Sequence, residues 1–169
     1  TVEVDEKTKT VTIYCYKDSV AHKYALENGI SYKVLCLTAT ENSTIDYKNM
    51  VIFTTAYGCE DVSEMFVEDS GVEIIGIPSI TQGNKEVYGT GSEIALFIGD
   101  EYIGDFKVVV NGDLTGDGVC NVLDVFEAER ASNGHIEAST EQIYAANGMV
   151  SDELDVSSYQ NVVNMALAS

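Results

Sequence analysis

From Asp113 to Asp124 the chain runs twelve residues, DLTGDGVCNVLD, in which side-chain oxygens recur at a fixed set of offsets. Counting Asp113 as one, Asp113, Thr115, Asp117, Asn121 and Asp124 fall at one, three, five, nine and twelve, and Gly118 falls at six. Calcium takes about six to eight hard oxygen ligands, and a loop of this length can wrap them around one ion. The donors would be the side chains of Asp113, Thr115 and Asp117, the main-chain carbonyl of Val119, Asn121 directly or through a water, and Asp124. Gly118 supplies the sharp turn that a residue with a Cβ makes only at a cost. Three carboxylates against two positive charges leave the filled site with one negative charge. Without the ion those like charges are crowded together, so the loop is expected to be loose in the absence of calcium. Cys120 is read as a small buried hydrophobe and not a ligand, since hard calcium avoids sulfur. A merely acidic surface turn is the alternative, but it would match one or two of these positions, not five and the glycine.

The element behind such a loop must fix its last ligand, and the residues after Asn121 have helical spacing. Val125, Ala128 and Ser132 share one stripe, and Val122, Leu123, Phe126 and Arg130 share another. One stripe can pack inward; the second is then left exposed, as a surface that invites a partner. A related segment begins 34 residues later, with Asn147, Met149, Ser151, Asp152, Asp155 and Ser158 at the positions one, three, five, six, nine and twelve. Met149 and Ser158 bring no carboxylate and Asp152 replaces the turn glycine, so one firm calcium site is expected, with the second half held by its core. A weak second ion through Asn147 and Asp155 is the alternative. Behind this loop Tyr159, Val162, Val163 and Ala166 form one broad stripe that reads as core.

Upstream, Thr10 to Tyr16 and Ser31 to Thr38 are β-branched and aromatic and read as strands. Between them Ser19 to Gly29 reads as a short helix, with Asp18 or Ser19 as N-cap and Asn28-Gly29 as its stop. Thr38 to Tyr47 is polar and turn-rich, a boundary. Beyond it Met50 to Thr55, Val72 to Ile77, Glu93 to Ile98 and Phe106 to Val110 are β-prone runs, with one short helical pattern at Asp61 to Phe66. The Gly89-Thr90-Gly91-Ser92 stretch has no lysine and no following helix, so it reads as a tight turn between strands instead of a phosphate loop. Asn42-Ser43-Thr44 matches a glycosylation sequon, which a three-residue match supports weakly. Cys15, Cys36, Cys59 and Cys120 lack the paired spacing of zinc or redox sites. For Cys15 and Cys36, in two runs read as neighbouring strands, a disulfide and two buried thiols both stand open.

Composition narrows the function. With 9 Lys and Arg against 28 Asp and Glu, and a formal net charge of -19, the surface repels phosphate backbones and anionic lipid. Neither nucleic-acid binding nor membrane insertion is expected, and no run approaches the roughly 20 apolar residues of a membrane span. A chain starting on Thr1 without a leader pattern reads as a mature or excised fragment. Enzymatic chemistry finds little support. His22 and His135 are the only imidazoles, no nucleophile elbow or metalloprotease motif is present, and no spacing selects a catalytic pair among 28 acids.

Three resemblances add to this. Ile13 to Tyr32, through Ser19, Ala21, Tyr24, Ala25, Asn28 and Tyr32, looks like the terminal unit of BspA-type leucine-rich repeat proteins. Tyr88 to Ser92, followed by Phe106 to Val110 leading straight into Asn111-Gly112-Asp113, resembles the X-type modules that precede dockerins in cellulosome proteins of anaerobic bacteria. The segment 111–169 resembles a dockerin: Gly112-Asp113 opens the loop, Asp124 closes it, and a degraded second copy follows. The resemblance implies an α+β, multi-module chain: residues 1–40 a strand-helix-strand repeat remnant, 41–110 a small mostly-β module, and 111–169 an all-α, paired loop-helix dockerin fold. It also implies a cohesin module of a scaffoldin as partner, met through Val122, Leu123, Phe126, Glu129 and Arg130, with Val156 and Ser157 as the weaker copy. A secreted, extracellular, non-enzymatic assembly function follows. The alternatives are a structural C-terminal cap with calcium serving stability only, and a fragment of a secreted hydrolase.

Overall fold

The computed structural model describes residues 2–5, 10–35, 37–68, 73–82 and 85–168. The first unit is a three-stranded sheet of β1 (Val2–Asp5), β2 (Thr10–Tyr16) and β3 (Ser31–Leu35), in which β1 pairs antiparallel and β3 parallel to β2. The parallel pair is joined by helix α1 (Val20–Asn28), as a crossover requires. Ser19 caps its start by accepting from the His22 N–H, and Gly29, at φ 60°, ends it. Cys36 lies outside the described residues, and so does the pairing of Cys15 with it.

The central element is a five-stranded sheet ordered β5 (Ser43–Asp46), β6 (Val51–Thr54), β12 (Glu101–Val110), β11 (Glu93–Ile98) and β8 (Glu73–Ile77). Only β6 and β12 run parallel. Two small antiparallel pairs flank it, β4 (Leu37–Ala39) with β7 (Phe66–Glu68) and β9 (Ile80–Gln82) with β10 (Lys85–Val87). The helical pattern at Asp61 to Phe66 yields a single 3-10 turn, Val62–Glu64, capped by Asp61. Its successor Phe66 joins β7 instead, and Met65 and Phe66 are both buried. Three helices end the chain: α2 (Val122–Ser132), α3 (Thr140–Asn147) and α4 (Val156–Ala168).

This architecture corrects the expected fold class. The described residues form a mixed, β-rich α/β protein with twelve strands and four α-helices, not a chain ending in an all-α dockerin fold. The reason lies in strand β12. Val108, Val109 and Val110 are all fully buried, so the strand is covered on both faces. Val108 and Val110 face a core with Ile52, Met65, Phe66, Tyr88, Ile94 and Phe106. Val109 and Val51 face the other way and join Leu114, Cys120, Ala128, Ala145, Ala146 and Val162. The helices bring Ala128, Ala145, Ala146 and Val162 to the centre of that second core, with Val125, Tyr144, Tyr159 and Met165 at its margin, and the sheet closes it. Tyr16 ties the first unit to the sheet through edge-on ring contact with Phe106 and a tilted one with Tyr47.

Candidate functional site

The twelve-residue loop leaves the end of β12 and closes on the first turn of α2. Asp113 and Asp124, its first and last members, are both fully buried. Each carboxylate is held by main-chain N–H groups. Asp113 Oδ1 accepts from Gly116 N at 2.7 Å and Asp117 N at 3.1 Å, and Oδ2 accepts from Gly118 N at 3.0 Å and Thr90 N at 2.8 Å. Asp124 Oδ1 accepts from Leu114 N and Thr115 N, both at 2.9 Å, while Oδ2 accepts from Asn121 N at 2.8 Å. Asp124 thereby shares a capping box with Asn121, whose side chain accepts from Leu123 N. The same residue ends the loop and begins the helix, which fixes α2 to the loop geometry.

Thr115 Oγ1 bridges the two carboxylates, 3.0 Å from Asp124 Oδ1 and 3.5 Å from Asp113 Oδ1. Burial, together with the nearby charge of Asp124, pushes the Asp113 carboxyl up to about 6. Asp117 is turned to its own neighbours, accepting from Val119 N at 3.1 Å and lying 3.4 Å from Asn121 Nδ2. Among the described residues, then, no three His, Cys, Asp or Glu side chains converge on one point as metal ligands would. The donor chemistry nevertheless fits a hard cation. Asp113, Thr115, Asp117, Asn121 and Asp124 offer oxygen, and the described Lys and Arg ion pairs lie elsewhere, at Glu60, Glu93 and Glu127. Among the described residues these two buried carboxylates have no ion pair, and a divalent ion bound by Asp113, Thr115, Asp117, Asn121, Asp124 and the Val119 carbonyl would supply the counter-charge. Gly118 has φ 83°, and a Cβ there would sit 2.6 Å from Val87 Cγ1, so both the turn and the packing demand glycine. Cys120 is buried in the helical core, and burial raises its thiol to about 11.

The related second loop is built differently. Asn147 stands where Asp113 does, and Ser158, also buried, stands where Asp124 does. They bond directly, Ser158 Oγ donating to Asn147 Oδ1 at 2.9 Å. Asp155 accepts at Oδ1 from Ser157 N and Ser158 N and from the Ser157 hydroxyl, which hold its carboxyl at about 2. Asp152 and Met149 are exposed. A neutral hydrogen bond thus closes this loop where the first has two charges.

Of the expected partner residues, Val122 is 74% exposed, Leu123 58%, Phe126 55% and Val156 78%. Glu129 and Ser157 are exposed too, and Arg130 is half-buried, its guanidinium 5.6 Å from the Phe126 ring centroid and its NH1 paired with Glu127. The other stripe of α2 turns inward: Ala128 is fully buried and Val125 packs on the shared core. Thr90 was missed by the sequence reasoning. Its contribution is a backbone N–H, which has no side-chain signature; only the flanking Gly89 and Gly91 hint at a close approach. No protein-family model, curated protein or solved structure matches the chain. Among the described residues no helix is long and apolar enough to cross a membrane.

Proposed function

We propose that the C-terminal loop and helices form a calcium-dependent docking unit that ties a secreted bacterial protein to a cohesin-type partner, in the manner of a dockerin. The observation that carries this reading is the pairing of an oxygen-rich loop with an exposed apolar turn. Val122, Leu123 and Phe126 are exposed on the first turns of α2, on either side in sequence of Asp124, whose carboxylate belongs to loop and helix alike. Binding the ion would order the loop and with it the helix start that presents those side chains. No role in catalysis is proposed.

Calorimetric titration of Ca2+ into the chelator-treated protein tests the first half. One site tighter than about 1 mM is expected, lost in Asp117→Ala. The absence of such a site sinks the reading. Leu123→Asp and Phe126→Asp test the second half. Both sites are exposed, so stability should stay within about 0.5 kcal/mol, while capture by a cohesin from cellulosome-bearing cells should be lost.

A second reading keeps the ion and drops the partner: calcium serves stability alone. It is favoured by the hydrogen bond from Thr90 N to Asp113, which ties the loop to the β unit. Under it the two aspartate variants would change neither calcium binding nor any interaction.

A further inference from the structure

The cation loop is covered on one side by three separate stretches of the β unit, each of which donates a hydrogen bond to it. Thr90 N donates to Asp113 Oδ2 at 2.8 Å, Gly58 N to Gly118 O at 2.7 Å, and Ser79 Oγ to Gly116 O at 2.7 Å. Ser79 also accepts from Gly89 N at 3.0 Å, so its hydroxyl joins the turn before β11 to the loop after β12. The approach leaves no spare room. A Cβ on Gly89 would lie 2.4 Å from Gly116 O, 2.6 Å from Gly118 N and 2.8 Å from Asp113 Oδ2. Two carbonyls of the loop, those of Gly116 and Gly118, are thereby turned toward the β unit, and one oxygen of Asp113 is oriented from outside the loop.

Resting on the calcium reading above, we propose that Ser79, together with the Gly89-Thr90 turn, is a positioning element of the cation site, so that the β unit preorganises the loop for its ion. The loop's own twelve residues are then an incomplete site. Holding two carbonyls and one carboxylate oxygen before the ion arrives removes part of the ordering that binding otherwise has to impose. Ser79 is the informative position. Its side chain links both segments, and it lies 34 residues ahead of the loop in sequence, outside the set of presumed ligands.

The test uses the full chain. Ca2+ is titrated by calorimetry into chelator-treated wild type, Ser79→Ala and Ser79→Thr, and thermal midpoints are taken in chelator and in saturating calcium. The expected result is an affinity about fivefold weaker in Ser79→Ala, the effect of one hydrogen bond, restored toward wild type by Ser79→Thr, which keeps the hydroxyl. The midpoint in chelator should move less than the rise that calcium produces. If Ser79→Ala binds as tightly as wild type, the proposal is wrong while the calcium reading stands. If its affinity and its chelated midpoint fall together and Ser79→Thr restores neither, Ser79 is only a packing residue. If wild type binds no calcium, the calcium reading itself fails and takes this proposal with it.

Discussion

Asp113 carries the conflict that gives the loop its chemistry. It is fully buried, lies near the charge of Asp124, and is held by four main-chain N–H groups and, more distantly, the Thr115 hydroxyl. Its carboxyl rises from 3.8 to about 6 when folded, so the folded chain prefers the proton more than the unfolded chain does. The contribution of this group to stability is therefore present in full below about pH 4 and is lost as pH rises through about 6. At neutral pH the ionised Asp113 carboxylate destabilises the chelated protein by an amount on the order of 3 kcal/mol. Two consequences are measurable. Asp113→Asn should remove that contribution, so the denaturation midpoint in chelator should fall less between pH 4.5 and 7 in the variant than in wild type. Calcium must displace the proton, so affinity should weaken about tenfold between pH 7 and pH 5; a pH-independent affinity would mean that Asp113 is not a ligand. At this scale the loop was legible as a unit, because spacing alone places Asp113, Thr115, Asp117, Asn121 and Asp124 on one turn of chain, while their service to an ion stands as the proposal. What spacing could not convey was that Asp117 turns away to Val119 N and that Thr90 reaches in from a turn 23 residues upstream, since backbone donors leave no mark in residue type.

Elements repeat that contrast between charge and neutrality. Helix α2 begins on the Asn121 and Asp124 capping box, whereas α4 follows a loop in which Asn147 and Ser158 satisfy one another. Ser158 also accepts from Asp155 N at 3.2 Å. Its removal should therefore destabilise the protein with or without calcium. Ser158→Ala is expected to cost about 1–2 kcal/mol, equal in chelator and in excess calcium as read by denaturant midpoints. A loss confined to the calcium-loaded protein would place an ion in the second loop after all. The helix boundaries were largely open to sequence reasoning, because caps are local: Ser19 and Gly29 bound α1 where the pattern placed them. The segment at Asp61 to Phe66 was less so. A good capping box starts it, but Met65 and Phe66 are drawn into the core and Phe66 pairs with Ala39 in a strand, so tertiary packing overrides the local preference.

At the scale of the whole molecule, the three valines of β12 decide whether the C-terminal helices can stand as a module of their own. A strand with one solvated face alternates apolar and polar residues, and Val108-Val109-Val110 does not alternate. That run and Val51-Ile52-Phe53 in β6 both signal in sequence that a second layer covers the sheet. With Val109 and Val51 inside the helical core, the sheet and the helices lose stability together when either is damaged. Val109→Ala opens a cavity between β12 and the alanines of α2 and α3, and should cost about 2 kcal/mol. The decisive readout is cooperativity. If sheet and helices form one unit, amide hydrogen exchange read against denaturant in β8 and β11 and, separately, in α2 and α4 should show one coincident transition, shifted as a whole by Val109→Ala. Two transitions, with only the helical one moved, would show instead that the helices unfold alone and that the shared valines merely support a separable module.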